Sequence, residues 1–186
     1  MFSAYFLKRK LQRGIINKTI NLKFLQCVDL SHMNLSSIDI RGAKLNNAIL
    51  EGTNFKNTIL QGAVLTKAKL LGANLQGANL IYVDFTGADL RGVNMRNTRL
   101  SNAIFKDADL RGADLTDAKI DVSTNFIQAN MENIIVDEDK LNKAVNTGAT
   151  IKPLKLYDRI LYALGFRDRF LKDKVPTMKQ IVPISN

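Results

Sequence analysis

Between residues 30 and 120, every position whose number is a multiple of five carries a large apolar side chain. Most are Leu; Phe55, Phe85 and Phe105 are the aromatic members, and Ile40, Met95 and Ile120 complete the series. Two residues ahead of each large residue runs a second unbroken series, mostly Ala, with Thr53, Thr58 and Thr98 among its polar members. The position between the two series is mostly Asn, Asp or Lys. Two residues after the large one, Gly stands in eight of nineteen cases: Gly42, Gly52, Gly62, Gly72, Gly77, Gly87, Gly92 and Gly112. A spacing of five fits neither a helix nor a flat strand. On an α-helix five residues turn through about 500°, so the leucines would spiral around the axis. On a flat strand a shift of five sends each side chain to the opposite face. A small and a large residue two apart do share one side of a short extended segment. Gly, Asn or Asp after that segment gives the backbone the freedom to turn. A chain that extends, turns and repeats must wind around an axis, with the large residues filling its centre.

The units read ANLQG (73–77), ANLIY (78–82), ADLRG (88–92), ADLRG (108–112) and ADLTD (113–117). This pattern resembles the pentapeptide-repeat family, whose motif is A(D/N)LXX, over about residues 28–136. The resemblance implies an all-β fold, a right-handed quadrilateral β-helix with four pentapeptides, twenty residues, in each coil. Outward positions repeat at that interval: Asn34, Asn54, Asn74, Asn94 and Asp114 form one column, and Asp89 with Arg91 recurs as Asp109 with Arg111. Phe85 and Phe105 should stack in adjacent coils. The register slips once, in DVSTN, after which Phe126 and Met131 continue the large series. A one-residue bulge at a corner would absorb the slip. The count gives about five coils.

An open solenoid end exposes apolar rings and unpaired backbone, so caps are expected. Residues 1–27 are read as a basic N-terminal cap or irregular first coil. Residues 137–151 are read as a capping helix starting at Asp137 and ending at Gly148. Residues 152–186 are read as a basic amphipathic helical tail, with Leu154, Tyr157, Leu161 and Leu164 on one stripe that caps the rod or pairs two copies. The net charge of +10 sits in these ends. Residues 28–136 carry eleven basic and eleven acidic side chains, whereas 1–27 carry six basic and none acidic. Cys27 is the only cysteine, which excludes an internal disulfide and fits a reducing compartment. No apolar run is long enough to span a membrane. A cytoplasmic protein is expected.

The residues for catalysis are missing. His32, the only histidine, falls at a turn position, and Cys27 has no histidine at a recognisable spacing, so it reads as a buried or capping residue. There is no metal-ligand spacing and no phosphate loop. No enzyme activity, cofactor or metal is expected. Binding is the better prospect, because Ile59, Val64 and Ile104 stand where the motif calls for a polar residue. Ile81 and Tyr82 likewise replace turn residues. With twenty residues per coil, these five gather near one corner and would form a protein-binding patch. The leading expectation is a non-enzymatic scaffold for another protein. The resemblance also brings DNA-gyrase interaction by duplex mimicry, but a mimic needs a continuous negative surface and this body is neutral. Peripheral membrane attachment through the basic tail is a third reading, and no base-reading element points to nucleic acid.

Overall fold

A computed structural model of the chain describes residues 25–137 and 150–152. The backbone winds as a four-sided β-helix whose walls are single bridges rather than long strands. Asp29 pairs in parallel with Ile49, Ile49 with Lys69, and each middle residue thereafter with the one twenty positions on. Four columns result. One wall stacks Asp29, Ile49, Lys69, Asp89 and Asp109, and the next stacks Asn34, Asn54, Asn74, Asn94 and Asp114. The third stacks Asp39, Ile59, Asn79, Arg99 and Lys119, and the fourth Lys44, Val64, Asp84, Ile104 and Asn125.

Both apolar series point inward. Every large residue from Leu25 through Met131 is buried, as are the small residues two places ahead except half-buried Ile38. Thr53, Thr58 and Thr124 are tolerated in the small column because each hydroxyl donates to a backbone carbonyl, of Leu30, Leu35 and Leu100. Phe85, Phe105 and Phe126 form one aromatic column, with ring centroids 5.2 and 5.0 Å apart and planes 15° and 7° from parallel. That offset-stacked geometry adds to the area buried.

The motif follows from where each N–H goes. In a regular unit the large residue and the second turn residue donate to the following coil, as Leu70 does to Asp89 and Gly72 to Arg91. The middle residue donates to the preceding coil, as Lys69 does to Ala48. The small residue closes the corner, as Ala73 does onto Leu70. Only the N–H just after the large residue lacks a backbone acceptor. Wherever the middle residue is Asn or Asp, from Asp29 to Asn130, its Oδ1 accepts that N–H two residues on. This is an Asx turn. The Asn and Asp columns, which look like a solvated face in sequence, therefore hold the corners.

The second turn residue has positive φ at every regular corner, from Cys27 at 56° to Asn133 at 57°. With the hydrogen bond that closes the corner, this is the type II pattern, which favours Gly or Asn at that place. Gly52 serves a second need, since a Cβ there would lie 2.5 Å from the ring nitrogen Nδ1 of His32 one coil away. Residues 121–124 absorb the slip in register. Beyond them the pairing interval becomes twenty-one, Ile104 with Asn125. The Asn102 N–H, deprived of its regular carbonyl, donates instead to Ser123 Oγ at 2.9 Å.

The winding is already under way at Leu25, within the stretch read as a cap or irregular first coil, and backbone pairing continues beyond residue 136. Leu25 and Cys27 already bond to the next coil, through Lys44 and Asn46. At the other end strand β1 (Asn130–Glu132) pairs in parallel with strand β2 (Thr150–Lys152), Asn130 opposite Thr150. Residues 150–152, assigned from sequence to the junction of the cap and tail helices, extend the sheet instead. The remainder of the expected capping helix, and Leu154, Tyr157, Leu161 and Leu164, lie outside the described residues.

Two substitutions test this architecture by urea unfolding. Phe105→Ala, in the middle of the aromatic column, should cost about 3–5 kcal/mol. Asn74→Ala should cost about 1 kcal/mol, the net worth of one turn hydrogen bond. Equal, negligible effects would show that neither the core column nor the Asx bond supports the coil.

Candidate protein-interaction surface

The corner between the third and fourth walls collects the residues singled out from sequence. Ile59 precedes this corner and Val64 follows it. In the next coil the corner itself is Ile81 and Tyr82, with the Gly62 N–H donating to the Ile81 carbonyl. Ile104 lies two bridges below Val64, through Asp84. Ile59, Val64 and Ile81 are half-buried, whereas Tyr82 is 60% exposed and Ile104 is exposed. Tyr82 also has φ 59°. A bulky side chain in that region is a backbone outlier, and it stands where the coil before has Gly62.

Two exposed apolar residues were missed from sequence. Val122, at the inserted corner, is 93% exposed, and Ile127, at the following corner, is also exposed. Val122 hides inside the slip in register, where the five-residue count loses its place. Ile127 lies on the next corner, between the fourth and first walls, whereas Val122 continues the apolar surface of Tyr82 and Ile104 down the rod. Asp121 within it accepts from the hydroxyls of Ser101 and Ser123, which hold its carboxyl below the usual carboxylate range. His32 is an exposed corner residue, as its position implies. Cys27 corrects the reading from sequence: it is exposed at a corner with φ 56°, because the second turn position always points away from the core. Among the described residues no group of His, Cys, Asp or Glu is arranged to hold a metal ion.

The family model described as pentapeptide repeats (8 copies) matches residues 25–62, 58–97 and 94–121. The chain belongs to the pentapeptide-repeat family. Its fold is therefore the family's right-handed β-helix. Among solved structures it is similar to a pentapeptide-repeat protein of the Arabidopsis thaliana thylakoid lumen, with 25% identity, 68% of this chain and 79% of that one covered, and a TM-score of 0.42. It is similar to Rfr23 from the cyanobacterium Cyanothece 51142, with 35% identity, 52% and 63% covered, and a TM-score of 0.37. It is also similar to HetL from Nostoc sp. strain PCC 7120, a protein involved in heterocyst differentiation regulation, with 28% identity, 66% and 52% covered, and a TM-score of 0.37. A search among curated proteins finds no match.

In this pentapeptide-repeat protein the first wall carries an ion-pair ladder. Arg91 binds Asp89 at 2.6 Å and reaches Asp109 one coil below at 3.9 Å, while Arg111 binds Asp109 at 2.6 Å. Burial pushes the Asp89 carboxyl up, but hydrogen bonds and charge from Arg91, with the charge of Arg111, outweigh it and leave the group below the usual carboxylate range. Asp89 and Asp109 on this wall are thus matched by guanidinium groups, and Lys69 stands in the same column, so the wall does not present a row of bare negative charge.

A lowered folded pKa means that Asp89 stabilises the fold above about pH 4 and loses that contribution as pH falls further. The urea midpoint should therefore drop between pH 5 and pH 3, and Asp89→Asn should drop less over the same interval. An identical drop would remove the ladder from the account. Cys27 should react with a thiol reagent in the native protein as fast as in the urea-unfolded chain. Protection in the native state would contradict its exposed corner position.

Proposed function

We propose that this chain is a non-enzymatic cytoplasmic scaffold that presents the Tyr82–Ile104 surface to a partner protein. The observation that carries this reading is Tyr82, a largely exposed aromatic residue on a corner column that has Gly42, Gly62 and Asn102 in the other coils. The positive φ is common to every regular corner, so it is the large exposed ring that sets Tyr82 apart. Exposed aromatics beside aliphatic neighbours also match the centre of protein interfaces. Mimicry of duplex DNA toward a topoisomerase has less support, because Asp89 and Asp109 are paired with arginine and the third wall ends in two cations.

Tyr82→Gly separates binding from folding. Glycine adopts positive φ without strain, so the variant should unfold at the same temperature or a higher one. Affinity capture from the native cell should then recover the wild-type partner at least about tenfold less well, the loss of one central aromatic anchor. Equal recovery by both proteins would overturn the proposed surface.

A further inference from the structure

The surface has a charge pattern along its edge that specifies its occupant further. Arg99 and Lys119 are bridged neighbours on the third wall, directly one above the other, and both are exposed. Neither makes an ion pair among the described residues. Like charges on facing bridge positions repel, and a carboxylate placed between them would remove that repulsion. Among the described residues the nearby carboxylates do not ion-pair with them. Asp84 accepts the Thr86 N–H, and Asp121 accepts from Ser101 and Ser123. A row of apolar side chains, Tyr82, Ile104 and Val122, thus descends one coil at a time beside a row of unpaired cations.

The spacing of these rows selects a conformation. Successive coils are about 4.8 Å apart, the separation of neighbouring strands. An α-helix advances about 5.4 Å per turn, so a helix laid along the rod meets one coil with each turn. Side chains on one face of an extended strand recur at about 6.7 Å and fall out of step by the second coil. The chain's own segment 152–186 carries eight basic and three acidic residues, so it is not the charge complement.

Resting on the docking surface proposed above, we infer that its occupant is an acidic amphipathic helix of another protein, lying parallel to the solenoid axis. Its apolar residues, one per turn, pack on Tyr82, Ile104 and Val122. Asp or Glu residues one turn apart on its flank meet Arg99 and Lys119.

The test uses the full chain and a fluorescent, stapled helical peptide of about three turns, with Leu on one face and Glu on its flank, read by anisotropy. A second peptide carries Lys in place of Glu. The Glu peptide should bind saturably and the Lys peptide at least about tenfold more weakly. Arg99→Glu combined with Lys119→Glu should reverse that order. Arg99→Gln combined with Lys119→Gln should bring the two peptides together, and thermal melts confirm that each variant is folded. Absence of saturable binding by the Glu peptide overturns the inference. So does capture by anionic phosphatidylglycerol vesicles in its place, which would make the occupant a membrane. Equal binding of both peptides to the wild type, abolished by Tyr82→Gly, overturns the acidic helix while leaving the apolar docking surface standing.

Discussion

The chain can wind as it does only because it turns a corner every fifth residue with the same left-handed residue at each. Positive φ at the second turn position recurs from Cys27 to Asn133, in Gly where the chain has one and in Asn, Asp, Ser, Lys, His, Tyr, Cys or Gln elsewhere. For a residue with a Cβ each such corner costs roughly 1 kcal/mol. Hydrogen bonds and burial offset it: the small residue closes the turn onto the large one, and both lie inside a core that is continuous from coil to coil. Cooperation between neighbouring coils is what makes a strained corner tolerable, which is the general logic of repeat architectures.

The same corners explain the outer columns. Three backbone N–H groups of each unit cross to another coil and a fourth closes the turn, so one is left over. Asn or Asp at the middle position takes it. Where the middle residue is Lys69, Ile49 or Ile104, the side chain has no acceptor to offer, and that corner forgoes the bond. These positions are free to be chosen for another purpose. Ile59, Val64 and Ile104 depart from Asx chemistry and cluster beside Tyr82. Departures from a locally consistent pattern are expected at functional sites, and here they share one edge of the rod.

The period of five, read with the family resemblance, made the coil visible in the sequence. The walls, the stacked Phe85 and Phe105, and the gathering of Ile59, Val64, Ile81, Tyr82 and Ile104 all follow from counting in steps of twenty. Counting failed where its unit changed. Val122 sits in the inserted corner and belongs to no column, so its exposure shows only in three dimensions. Cys27 was misread by residue type, since cysteine is commonly buried, although its place two after Leu25 makes it a corner. Residues 150–152 were hard to read as a continuation of the coil because Asn146 interrupts the large series, although Ile151, twenty residues past Met131, returns to it. Their backbone pairing with Asn130–Glu132 is set by strand geometry. The role of the Asn and Asp column is written in the Asx-turn preference of those residues, but alternation with Lys made it look like ordinary surface.

Residue-resolved hydrogen exchange tests the corner account most directly. Amides taken by an Asx side chain, such as those of Gln76, Arg91 and Arg96, should exchange more slowly than those of Asn46, Leu71 and Thr66, which follow Lys44, Lys69 and Val64 two places on. The neighbouring inter-coil amides of Leu70, Gly72 and Leu75 should be the slowest of all. Equal exchange in the first two groups would contradict the claim that the Asn and Asp columns hold the corners on which the coil depends.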